Sequence, residues 1–293
     1  MSPVSVCMHR GADYDVRMKL FLFAMVPAFA VVLAAPQGSD SPVRTGGAEP
    51  DRIAGKSLPA TLVQDVVVPV PGEVFIVLEK LNAPNWRALL RAGEARAASD
   101  RARTALVLGT VIADGFVAVQ AQDREEVKRI GRLVLTLSGA IGVRKSVVAR
   151  SNSIIEAADA QRWPVVRSEL DRALQDVQAA MIELHDEQLA QLVSLGGWLR
   201  GTEVLTTVVG GAYSPDGAEL LHQPALIEFF QGRLADMDPR LKANPLVNEI
   251  SGKLDEIRPI ITPENGRRIS REDVERLRAI ASGLLRSILE KTA

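Results

Sequence analysis

The stretch Arg101–Gln122, RARTALVLGTVIADGFVAVQAQ, decides the fold. Between Thr104 and Ala121 only Asp114 and Gln120 interrupt small and apolar side chains. A helix that is apolar on nearly every side belongs at the centre of a bundle or inside a membrane. The many Ala and Gly residues and the mid-run Asp114 favour the bundle, because a carboxylate at the bilayer centre costs about 2.5–3.5 kcal/mol. The expected fold class is therefore all-α: an irregular multi-helix bundle of about eight or nine helices around this central apolar helix.

The segments that follow support that reading. Glu125–Gly142 carries Val127, Ile130, Val134, Leu137 and Ile141 on one stripe, and Arg144–Ala160 repeats the pattern less regularly. Pro164 suits a first helical position, where its missing N–H costs nothing. From there Leu170, Leu174, Val177, Met181 and Leu184, continued by Leu192, Leu195 and Leu199, predict one element of some ten turns that weakens at Gly196-Gly197. Pro224 and Pro245 each open a further helix, the second behind the capping residue Asn244. At the end of the chain, Ser270 and Asp273 approximate a capping box with Ile269 and Val274 as its staple, and the stripe Val274, Leu277, Ile280, Leu284, Ile288 follows. No fixed-period repeat stands out.

Toward the N-terminus the character changes. Short helices are expected at Glu73–Leu81 and through Trp86, Leu89 and Leu90, after an extended, proline-interrupted lead-in at Val66–Pro71. Residues 36–65, rich in Gly, Ser, Pro and Asp, read as a flexible linker. Ahead of it, Met18–Ala35 (MKLFLFAMVPAFAVVLAA) has the order of a secretory signal: one lysine, a short apolar run from Leu20 to Leu33, then small residues. The run is short for a spanning helix, which needs roughly 20 apolar residues. Residues 1–35 are thus read as an N-terminal extension plus signal peptide. Met18 is the expected start of translation, with cleavage after Ala30 or Ala34 and retention as an anchor as the alternative. Residues 66–293 form the helical domain, for which the turn residues offer a subdomain seam at Gly210–Gly217. The expected location is the periplasm or the cell envelope.

Charge and composition exclude several classes of function. The chain holds 35 basic and 36 acidic residues, and loss of the leader leaves 32 against 34. A near-neutral domain without a basic block lacks the electrostatic footprint of a nucleic-acid binder. The single cysteine, Cys7, lies ahead of the signal, so a processed chain has no disulfide, thiol nucleophile or cysteine ligand. With no HExxH and no histidine pair at i, i+4, no metal and no cofactor is expected.

Two residues stand out as candidates. Asp114 interrupts the most apolar helix, where a buried carboxylate must find a partner. His185, an arginine or a helix-end N–H group could supply one. Asp114 then either fixes helix register or acts as a general acid or base. His185 is placed on the apolar side of the long helix. The expected function is that of an exported, non-enzymatic scaffold or binding partner for another protein, touching a membrane only through an uncleaved signal. The alternative is a small-ligand binder or enzyme with its site around Asp114 and His185.

Overall fold

A computed structural model describes residues 85–91, 95–263 and 266–290. The leader, the linker, the lead-in at Val66–Pro71 and the short helix at Glu73–Leu81 lie outside the described residues. Among the described residues every regular element is a helix. After a 3-10 turn at Trp86–Leu89 come α1 (Arg101–Gln120), α2 (Arg124–Ala140), α3 (Arg144–Asp159), α4 (Trp163–Glu183) and α5 (Glu187–Gly211). The remainder comprises the single turn α6 (Pro215–Ala218), a 3-10 turn at Glu219–Leu221, α7 (Pro224–Ala235), the single turn α8 (Pro239–Lys242), α9 (Pro245–Ile261) and α10 (Arg271–Leu289). The expected all-α bundle around Arg101–Gln120 is what forms.

Helix α1 is the hub. By length and composition it could cross a membrane, yet 94% of its apolar window is buried inside the protein. It packs on α2, α4, α5 and α10. Leu106, Leu108, Ile112, Phe116 and Val117 are all shielded from solvent. Each such side chain contributes about 1.5–3 kcal/mol by leaving water, so the all-round apolar pattern is satisfied by protein on every side.

Helices α1 to α5 zigzag through four links of one design. Each link has three residues, and the middle one is left-handed: Gln122 (φ 52°), Gly142 (φ 91°), Gln161 (φ 54°) and His185 (φ 57°). In each, the third residue donates its N–H to a carbonyl five positions back, as in Asp123 to Ala118 (3.0 Å) and Asp186 to Met181 (2.8 Å). That bond satisfies an otherwise orphaned helix-end carbonyl and reverses the chain. The fourth link divides the long element expected from Pro164 to Leu199: the chain turns at Leu184-His185-Asp186 and stays helical through Gly196-Gly197.

Four reversals bring α5 back beside α1, parallel to it, and here the two glycine-bearing faces meet. A Cβ at Gly109 would run into the carbonyl oxygen of Val193, and one at Gly196 into that of Leu106. Thr110 lies in the same contact and donates to the carbonyls of Leu106 (2.9 Å) and Gly196 (3.3 Å). Gly109 and Gly196 are close-packing points of the two helices. Helix α10 then packs on α5 and α1, and α9 on α10 and α7. Its start shows a full capping box, with the Asp273 N–H bonded to Ser270 Oγ and the Ser270 N–H to Asp273 Oδ2.

Candidate functional site

Asp114 lies in the second half of α1 with its side chain 12% exposed. Its neighbour is an arginine. Arg200, midway along α5 and 4% exposed at its side chain, donates Nε to Asp114 Oδ1 at 2.6 Å. The other oxygen, Oδ2, accepts from Nη2 (3.1 Å) and Nε (3.3 Å) of Arg91, which precedes α1. Arg200 is itself fully engaged. Its Nη1 meets Glu203 Oε2 one turn along α5 (2.7 Å), and its Nη2 meets the carbonyl of Leu89 (2.6 Å). Glu203 passes the network on to α10 by accepting the Ser282 hydroxyl at 2.8 Å.

The result is a neutral set of two carboxylates and two guanidiniums joining residues 89–91, α1, α5 and α10. Buried charges are tolerated when paired and hydrogen-bonded, and that condition is met here. Both oxygens of Asp114 accept hydrogen bonds from cations, which holds the carboxylate in an ion-pair network. A second buried carboxylate, Glu169 on α4, is held in the same way by Arg150 (3.3 Å) and Arg172 (2.8 Å). The Arg150 guanidinium is stabilised in its charged form by hydrogen bonds to Asp176 and then to Glu169, which raise its pKa.

His185 is not part of this network. It is exposed, in the left-handed position of the α4–α5 link. Its neighbour Asp186 pairs with Arg101 at 2.7 Å, at the first residue of α1. Asp114 lies thirteen residues further on, about 20 Å along the helix at 1.5 Å per residue. The structure therefore keeps the two candidate residues apart, His185 beside the start of α1 and Asp114 in its second half.

Sequence reasoning named Asp114 but passed over Arg200, Glu203 and Arg91. One signal was available: Arg200 breaks the apolar pattern of α5 as Asp114 breaks that of α1, and opposite charges in two buried helices invite pairing. Arg91 and the Leu89 carbonyl carried no such signal, since their role depends on where the chain crosses α1.

A cavity of about 490 Å³ lies beside this network, between residues 90–91 and α2, lined by Leu90, Arg91, Asp123, Glu125, Glu126, Arg129 and Arg132. It opens on Arg91 and not on Asp114. Among the described residues no group of three or more His, Cys, Asp or Glu is arranged to hold a metal ion. No protein-family model, curated protein or solved structure matches the chain.

Proposed function

We propose that this chain is an exported, non-enzymatic helical protein that serves as a scaffold or binding partner for another protein in the periplasm or at the cell envelope. The observation that carries the non-enzymatic part is the commitment of Asp114. The buried carboxylate of the hub helix has each oxygen bonded to an arginine, and its network ties four parts of the fold together. Such a group fixes helix register, the best-attested use of buried charge. The ligand site around Asp114 and His185 is disfavoured, because convergence of the two is what that reading needs. Export is supported by the order of charge, apolar run and small residues in Met18–Ala35.

The test is fractionation of the native host, with N-terminal sequencing of the recovered protein. A chain beginning at Val31 or Ala35 in the periplasmic or envelope fraction, co-purifying with a second protein, is the expected result. An unprocessed chain in the cytosol would remove the export half of the proposal. A small molecule retained against Asp114 would remove the other half.

A further inference from the structure

Residues 85–91 cross the α1–α5 pair as a strap, and their attachments have the character of a bound peptide. Two backbone-to-backbone hydrogen bonds of the strap are local: the Ala88 N–H goes to the Asn85 carbonyl and the Leu90 N–H to that of Arg87. It is anchored by one buried aromatic, Trp86, at 8% exposure. The polar grip comes from the Leu89 carbonyl on Arg200, from Arg91 on Asp114, and from an outer pair between Arg87 and Asp123 at 3.6 Å. On the side facing α2 the strap borders the open cavity, whose wall there mixes Asp123, Glu125 and Glu126 with Arg129 and Arg132.

The slot beneath the strap is built from contacts the strap does not supply. Arg200 is aimed by Asp114 Oδ1 and Glu203, and Glu203 is steadied by Ser282. What the strap adds is an acceptor for Arg200 Nη2 and a cation for Asp114 Oδ2. Lifting the strap leaves a fixed donor, Arg200 Nη2, and a fixed carboxylate oxygen, Asp114 Oδ2. That set recognises a backbone carbonyl followed two residues later by an arginine.

We propose that the strap is an internal pseudo-ligand: it fills in cis a slot that an arginine-bearing segment of a partner protein fills in trans. This inference deepens the binding-protein reading and rests on it for the partner's identity as another protein. The strap acts as a competitor, so the partner's apparent affinity is reduced by the fraction of molecules in which the slot is open.

The probe is a labelled peptide with the strap's own sequence, NWRALLR (residues 85–91), titrated into the full chain and followed by anisotropy. Arg91→Ala, which loosens the strap, is expected to bind the peptide about tenfold or more tightly than the unaltered chain. Asp114→Asn, and a peptide ending in Ala, are expected to lose that gain. Hydrogen exchange on the unaltered chain gives an arm that needs no variant. The Ala88 and Leu90 amides should exchange through local opening, well ahead of the amides of α1 and α5. Strap amides that exchange only with global unfolding overturn the proposal, as does equal peptide binding by folded Asp114→Asn and Arg91→Ala chains. Concentration-dependent self-association that excess peptide dissolves would overturn the partner assignment in favour of a second copy. Absence of a co-purifying protein, with peptide binding intact, would count against the binding-protein reading and not against the slot.

Discussion

Asp114 and Asp273 are both carboxylates hydrogen-bonded within the fold, but they differ in how much of the structure depends on them. Removing one member of a buried, hydrogen-bonded ion pair strands the other, at a cost of about 3–5 kcal/mol. Asp114→Ala takes one of two carboxylates from Arg200, which is 3% exposed and keeps Glu203 and the Leu89 carbonyl, so a loss of about 3 kcal/mol, at the lower end of that range, is expected in urea denaturation. Arg91 is the more exposed partner, at 24% of its side chain. Arg91→Ala is expected to cost about 1 kcal/mol, in line with a partly solvated pair. Equal losses for the two would mean that the strap, and not the α1–α5 pair, carries the network. Asp273 acts locally, at the start of α10. Burial pushes its pKa up, but the hydrogen bonds from Ser270 and from Arg267 outweigh that and hold it below the ordinary carboxylate value. A depressed carboxylate contributes stability that is present above its unfolded pKa, about 3.9, and is lost as pH falls through the folded value. Exchange protection of the first turn of α10 should therefore hold above about pH 4 and decline below it. Asp273→Asn should remove that pH dependence.

At the scale of the element, the α1–α5 contact and the three-residue links set the architecture. Backbone meets backbone at Gly109 and Gly196, so an added methyl has no flexible neighbour to displace. Gly196→Ala is expected to destabilise the protein by about 3 kcal/mol or more, at the upper end of the cost of overpacking. Gly201→Ala, on the same helix with nothing within 4 Å of an added Cβ, should be neutral or slightly stabilising through helix propensity. Thermal denaturation of the two variants side by side separates close packing from a general intolerance of alanine in α5. The four links explain why one long helix was expected where two form. A glycine at the left-handed position announces itself in the sequence, and of the four only Gly142 is a glycine. Gln122, Gln161 and His185 take the same conformation without a residue-level signature. Their strain is met by the reversed hydrogen bond and by the packing of the helices they join.

For the whole molecule, the described residues cluster as one compact unit, and contacts between distant parts of the chain gather at the start of α1. Asp100 caps α1 and also accepts from Asn244 (2.7 Å), the cap of α9. Arg103 reaches the carbonyls of Ser287, Ile288 and Glu290 at the end of α10. With both ends of the C-terminal layer tied to α1, urea unfolding should be a single transition, coincident by circular dichroism and tryptophan fluorescence. Two separated transitions would instead mark independent subdomains meeting at Gly210–Gly217. The sequence by itself determined the helical class, the hub and the entry to α10. Each of these rests on spacing along a single helix or on hydrogen bonds three residues apart, which a local pattern records. It also determined that Asp114 needed a partner, because the cost of a buried charge is independent of topology. Only the tertiary structure decided that the partner is Arg200, that Arg91 closes the pair from outside, and that His185 stands beside the start of α1. Those facts depend on four chain reversals that return α5 to α1 in register. Registry between helices 86 residues apart in sequence is set by packing against glycine backbone, which no local periodicity encodes.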